Sequence, residues 1–354
     1  MNKFKKIGLS ALAGSLVAVS ANAGEMSVAG SASIAVEHVN GGAASTGKSW
    51  SMCNQLTFTG GGELDNGMNV SLSFVIDQGD DTSDAAGTAP FDSHSVAVGM
   101  DGFGTLTFHG EGGGSAVGDM DGSAAGGIWD NFQAAANEPK SGKAADDMIT
   151  YALPELMDGL ALNTSYTPGG TGFGGAESSI SWSATYTGVE GLTVAYGTGE
   201  DNTTAVEADA TAWKIAYAYG PITVTATDLE YDHGTATSDR NMDSQAISYT
   251  ISDELSITYG VEEITDGSAS SEKAEFESIS ASYTSGGMTL TVSSQEGKNI
   301  DYSTTATQDQ ERWAISAAFA FLFNLDLNYK RAPLRGLFFI QNKIFQQTQG
   351  FLKA

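Results

Sequence analysis

Cysteine is nearly missing from this chain. Cys53 stands alone, so no intrachain disulfide can form. One cysteine and four histidines also exclude a cysteine-rich zinc site. Basic residues are scarce, with 16 Lys and Arg against 43 Asp and Glu. A surface of that sign repels nucleic-acid phosphates and attracts cations. Beyond the N-terminus no apolar run reaches the roughly 18 residues that a membrane helix needs. That excludes a helical membrane protein but not a transmembrane barrel, whose strands need only about ten alternating residues. Catalytic signatures are absent too: there is no GxSxG, no HExxH and no phosphate-binding glycine loop. With this many carboxylates, acidic pairs of the glycosidase kind arise by chance. Neither an enzyme nor a cofactor is expected.

What is present begins with a leader. Lys3, Lys5 and Lys6 precede a small, apolar stretch from Ile7 to Ser20, and Ala21-Asn22-Ala23 offers a signal-peptidase site. Residues 1–23 therefore read as a secretory signal peptide. Losing its three lysines moves the formal charge from -27 to -30. Without disulfides, the exported chain must draw stability from backbone pairing, packing or assembly. Glycine is abundant, at 44 of 354 residues. Glycine, serine and threonine at this level are compatible with disorder, but the aromatics are too regularly spaced for that.

Large or apolar residues fall at every second place in Trp182-Ala184-Tyr186, Trp213-Ile215-Tyr217-Tyr219, Ile247-Tyr249-Ile251, Leu255-Ile257-Tyr259 and Ile279-Ala281-Tyr283. Period two means strands with one apolar face. The other face is mostly Ser, Thr, Ala or Gly. Continued along the chain, the pattern predicts sixteen strands, near 26–38, 50–59, 67–76, 92–99, 103–109, 146–152, 159–167, 178–187, 190–198, 211–219, 221–228, 244–252, 254–262, 276–284, 287–295 and 312–321. Short turns, several on Gly or Asp, alternate with longer links at 77–91, 110–145, 168–177, 199–210, 229–243, 263–275 and 296–311. In an up-and-down sheet this gives one trim end and one shaggy end. Such a pattern fits an all-β, sixteen-stranded antiparallel transmembrane β-barrel over 24–321, with short periplasmic turns and long external loops. The apolar face meets lipid, and tyrosines near strand ends (Tyr166, Tyr186, Tyr219, Tyr259, Tyr283) suit the membrane interfaces.

Acidic residues concentrate in the long links, for example Asp77, Asp80, Asp81 and Asp84, or Glu262, Glu263, Asp266, Glu272 and Glu275. The link 110–145 is by far the longest. A sixteen-stranded barrel is too wide for its own side chains to close, and this third loop would narrow it by folding inward. Gly110, Gly112, Gly113, Gly114, Gly118, Gly122, Gly126 and Gly127 permit close approach to the wall. Ile128, Trp129 and Phe132 would pack the loop down, leaving Asp119, Asp121, Asp130 and Glu138 facing the remaining opening.

The stretch DGFGTLTFHG resembles the glycine hairpin before the constriction loop in general diffusion porins of Gram-negative outer membranes. DDMITYALPELMDGLALNTSYTPGG resembles the strand, turn and strand that follow it. With the leader, the sixteen-strand rhythm and WAISAAFAF, the resemblance covers roughly 1–321. It implies a homotrimer in outer-membrane lipid that passes small hydrophilic solutes, with the third loop folded into each pore. In such porins an arginine often follows the hairpin strand and faces the constriction. Here His109 stands there, and imidazole is mostly neutral near pH 7. The opposing basic wall is also thin. Lys140 and Lys143 lie within the loop, and Lys214 and Arg312 are the other candidates. A weak field across the pore and a preference for cations follow.

Asp77-Gln78-Gly79-Asp80-Asp81 and Asp119-Met120-Asp121-Gly122 resemble fragments of calcium loops, but neither completes a twelve-residue EF-hand. Weak Ca2+ or Mg2+ binding on acidic external loops is one reading, and solvated charge is the other. Phe321 would be a natural last residue in this family, yet the alternation persists through Phe323, Leu325, Leu327 and Tyr329, and a basic, apolar segment follows. Residues 322–354 read as a frameshift, a read-through or an assembly artefact, with a periplasmic tail as the alternative. The competing function is a secreted β-rich surface adhesin or coat protein without a pore.

Overall fold

The computed structural model describes residues 25–42, 47–77, 92–120, 122–132, 146–169, 177–202, 207–268, 272–302 and 309–325. Sixteen strands run along them: β1 (Glu25–Gly41), β2 (Gly47–Glu63), β3 (Asn69–Asp77), β4 (Ser93–Met100), β5 (Gly104–Glu111), β6 (Met148–Ala152), β7 (Leu160–Thr167), β8 (Ser179–Val189), β9 (Leu192–Glu200), β10 (Ala208–Tyr219), β11 (Ile222–His233), β12 (Arg240–Ser252), β13 (Leu255–Asp266), β14 (Ala274–Ser285), β15 (Met288–Lys298) and β16 (Gln310–Leu325). Each pairs antiparallel with its neighbours in sequence. β1 also pairs with β16, from Met26↔Leu325 to Gly41↔Gln310, so the sheet closes.

The alternation explains the faces. Directly opposite residues of an antiparallel pair share a face, and the register lines up Tyr186↔Val194↔Ile215 and Ile247↔Tyr259↔Ile279. These side chains are left uncovered: Trp182 is 56% exposed, Ile247 47% and Tyr217 47%. A belt of uncovered aromatic and branched residues around a closed sheet belongs in hydrocarbon, where closure also satisfies every ladder group. The chain is a sixteen-stranded antiparallel transmembrane barrel. Its other face carries small residues such as Ser165, Ser181, Ser183, Ala212, Thr227 and Ser244.

The tightest turns sit at 190–191, 220–221, 253–254 and 286–287. Gly191 and Gly286 adopt φ of +75° and +59° there, in the left-handed region where a side chain would be strained. At the opposite end, 78–92, 112–147, 168–178 and 299–309 are the longer connections.

The strands run further than their apolar pattern. β10 starts at Ala208, β11 ends at His233, β12 starts at Arg240 and β13 ends at Asp266. Many carboxylates expected in loops therefore belong to strands. Tyr196↔Trp213↔Asp228↔Asp243↔Glu263↔Glu275↔Lys298 is a single cross-strand row on the apolar face. Glu277↔Glu296↔Glu311 forms another row on that face. Lys273, just ahead of β14, donates to Glu263 at 2.7 Å, and this contact holds its ammonium above the usual lysine range. β16 likewise continues past Phe321, pairing Leu322 with Ala29 and Leu325 with Met26. The paired wall is thus longer than the expected strand 312–321, in line with the alternation that continues beyond it.

Candidate pore lining and its wall-bound strap

The described part of the chain between β5 and β6 does not hang free of the barrel. Its described residues within 115–132, here termed the strap, walk across the small-residue face from strand to strand. The Ala116 N–H donates to Ser165 Oγ on β7 at 3.0 Å, and the Val117 N–H donates to Ser181 Oγ on β8 at 3.4 Å. A 3-10 turn, Gly118–Met120, then lies over β9 and β10. Thr227 Oγ1 on β11 donates to the Gly122 carbonyl at 3.3 Å. The Ala125 N–H donates to Ser244 Oγ on β12 at 2.9 Å. Beyond it, the 3-10 helix Ile128–Phe132 rests on β13, β14 and β15.

The register shows why this path exists. Ala195↔Lys214↔Thr227↔Ser244↔Glu262↔Phe276↔Gly297 is one row on the small-residue face. Its short members let the strap backbone approach, and their hydroxyls satisfy backbone groups that would otherwise be buried without partners. The strap also brings its own apolar anchors. Ile128, Trp129 and Phe132 are buried in one apolar cluster with Leu229, Met242, Ile264 and Phe276. The Phe132 and Phe276 rings lie 5.8 Å apart. Burying an anchor of this size contributes about 1.5–3 kcal/mol. Gly260 on β13 is fitted to the strap as well: a Cβ there would lie 2.6 Å from Ala125 Cβ.

Glu262 is the charged centre of this contact and is 1% exposed. Its Oε1 accepts from the Ser123 hydroxyl, and its Oε2 accepts from the Trp129 N–H at 3.0 Å. The backbone N–H groups of Ile128 and Gly127 support the same carboxylate. Ser123 Oγ also lies 2.8 Å from Ser244 Oγ. The sequence placed Glu262 among the solvated acids of a loop. Instead it points to the small-residue face, beneath the strap.

The described wall cations are few. Arg312 on β16 donates from Nε and Nη2 to Glu37 Oε2 on β1, at 2.8 and 2.5 Å, and from Nη1 to Gln295 Oε1 on β15 at 2.7 Å. Ser49 Oγ completes the group, donating to Glu37 Oε1 at 2.7 Å. Arg240 lies 3.7 Å from the Asp266 carboxylate and stacks over the Tyr302 ring at 5.4 Å. Lys214 forms no ion pair with a described residue, and its Nζ would lie 3.8 Å from a Cβ built on Gly122.

The residues expected at a constriction fall in several places. His109 lies on β5, with Nε2 3.0 Å from Thr150 Oγ1 on β6. Asp130 lies in the 3-10 helix packed on β13–β15, about half-way around the barrel from His109. The backbone of Asp119 belongs to the 3-10 turn Gly118–Met120, and its side chain lies outside the described residues. Asp121, Glu138, Lys140 and Lys143 also lie outside the described residues. No group of three or more His, Cys, Asp or Glu among the described residues is arranged to hold a metal ion. Sequence reasoning missed Glu37 and Glu262. It also missed the apolar seat of Leu229, Met242, Ile264 and Phe276. The available signal was the failure of alternation there, because both faces of β11 to β14 carry large side chains.

Solved structures share this architecture. An anion-selective porin from Comamonas acidovorans superposes with a TM-score of 0.66 at 13% identity, over 84% of this chain and 100% of that one. A multiple mutant of the Rh. blastica porin superposes with a TM-score of 0.62 at 17% identity, with the same coverages. At such identities the likeness concerns the fold. No curated protein matches the sequence. The family model for Gram-negative porins matches residues 8–284, most of the chain. The closed barrel with its lipid-facing belt agrees with that match, and the chain belongs to the Gram-negative porin family.

Proposed function

We propose that this outer-membrane diffusion channel is cation-preferring and that the strap is its constriction. The passive channel and its outer-membrane location follow from the family and the closed barrel. The sign of its selectivity rests on one observation: both described wall arginines are matched by a carboxylate, Arg312 by Glu37 and Arg240 by Asp266. A pore in a chain with 43 acidic and 16 basic residues, whose two described wall arginines are neutralised at short range and which keeps Lys214 without an ion pair among the described residues, has little positive field left to attract anions. The preference is opposite to that in the name of the Comamonas acidovorans neighbour.

The constriction reading is supported by the hydrogen bonds and buried anchors that hold the strap to the small-residue face. It assigns the trim end to the periplasm and the longer connections to the cell exterior. We further propose a leader at 1–23, a homotrimeric assembly and passage of small hydrophilic solutes and cations. Nothing in the fold favours a secreted adhesin or coat protein, because such a protein has no use for a closed barrel with an uncovered apolar belt.

The deciding experiment is the reversal potential of single channels across a KCl gradient in planar bilayers. Discrete steps with a potential favouring K+ are expected. Steps favouring Cl- would overturn the assigned sign.

A further inference from the structure

We propose that Glu262 is the positioning residue of the constriction, a buried carboxylate latch that fixes the strap to the wall and thereby sets the width of the pore. This inference rests on the strap being the constriction.

Glu262 is sealed beneath the strap, and no described Lys, Arg or His pairs with it. A carboxylate in that position is costly unless hydrogen bonds replace its water. Here both oxygens accept: Oε1 from the Ser123 hydroxyl, Oε2 from the Trp129 N–H. The groups it serves lie at the two ends of one turn of strap. Between them, Gly126 and Gly127 have successive φ values of +88° and +69°. Two left-handed residues in succession turn the chain so that the N–H groups of Gly127, Ile128 and Trp129 gather toward the wall, where the carboxylate sits.

Backbone donors cannot be removed by changing a side chain, so the turn requires an acceptor wherever it is buried. Ser244, the neighbouring wall hydroxyl, already holds Ala125 and Ser123. Only a longer side chain carrying two acceptors reaches both Ser123 and Trp129. Glutamate at 262 supplies it, on the same row as Ser244 and Phe276. The adjacent Glu263 faces the other side of the sheet and pairs with Lys273. The two carboxylates therefore divide between latch and surface.

The test compares full-length wild-type and Glu262→Gln proteins refolded in detergent. The glutamine keeps the shape but turns one acceptor into a donor, which then confronts the donors it should receive. Two quantities are read: amide hydrogen exchange of a peptide spanning 122–132, by mass spectrometry, and single-channel conductance. The expected result is exchange faster by about tenfold or more, with a higher and noisier conductance and unchanged exchange in β1, β2 and β16. Unchanged exchange in 122–132 would overturn the latch. Faster exchange with unchanged conductance would overturn the constriction role and, with it, the reading of the strap on which this inference rests. Should Glu262→Gln fail to fold, Ser123→Ala carries the test. It removes one donor and should move both readings the same way by less, and unchanged exchange there would overturn the proposal.

Discussion

Glu37 and Arg312 are 275 residues apart in the chain, yet Arg312 makes two of its three hydrogen bonds to the Glu37 carboxylate. A fork of this kind holds the guanidinium more firmly than a single contact would. It also decides how much positive charge the small-residue face presents. Replacing Glu37 with glutamine keeps a hydrogen-bond acceptor but leaves Arg312 uncompensated. A unit charge about 4 Å from a passing ion is worth roughly 1 kcal/mol in a water-like medium, with opposite sign for K+ and Cl-, so the K+ to Cl- permeability ratio should fall by up to about thirtyfold. The change should shrink in concentrated salt, where the charge is screened. Reversal potentials of Glu37→Gln and wild type at two ionic strengths check this; an unchanged ratio would mean that Arg312 does not reach the conduction path. Arg312 was legible as a wall candidate because basic residues are so scarce. Its partner was not, because only closure of the barrel brings the first strand beside the last. Glu262 was hidden differently: composition shows a glutamate beside another glutamate, and only the register separates the buried one from the exposed one.

Among the elements, all sixteen strands were legible from period two, and so were their ends at the tight turns, such as Tyr219 and Ser252, while the ends away from those turns were not. Alternation marks where one face meets lipid and stops where the lipid stops. The hydrogen-bonded ladder needs no lipid, so β10 to β15 continue into polar sequence with their pairing intact. The extra length puts carboxylates directly opposite one another, as in Asp243↔Glu263↔Glu275 and Glu277↔Glu296↔Glu311. Like charges directly opposite across a ladder are destabilising, and only some are relieved, as by Lys273 at Glu263 and Lys298 at Glu296. Screening should therefore stabilise this barrel. Raising NaCl from low to moderate concentration in detergent should lift its unfolding temperature by a few degrees, measured from the loss of β-sheet circular dichroism. A fall would show that attractive pairs such as Arg312–Glu37 dominate instead. The strap was foreseen as a long glycine-rich excursion with apolar anchors, but its route was not. The route depends on nine strands, β7 to β15, presenting Ser, Thr, Gly, Glu and Phe in register, and no local stretch of sequence carries that information.

At the scale of the whole molecule, closure is the condition for existence in a membrane, since an open edge in hydrocarbon leaves backbone groups unsatisfied. That seam is β1 on β16, and its last pairs lie beyond Phe321, with Leu322 opposite Ala29, Phe323 opposite Val28, Asn324 opposite Ser27 and Leu325 opposite Met26. Met26 to Ala29 also pair with β2, from Met26↔Gly60 to Ala29↔Thr57, so removing the end of β16 would strip one side of β1 while leaving the other intact. A chain ending at Phe321 should still close, because Gly30 to Gly41 keep their partners on β16. It should lose a few net hydrogen bonds at about 1 kcal/mol each, with a correspondingly lower temperature for loss of the folded band in gel electrophoresis. A chain ending at Leu325 keeps every pair of the seam and should match the full-length protein. If both truncations melt together and below the full chain, residues after Leu325 contribute to the barrel. If the chain ending at Phe321 is as resistant as the others, the terminal pairs add nothing and the seam is secured by Gly30 to Gly41 alone.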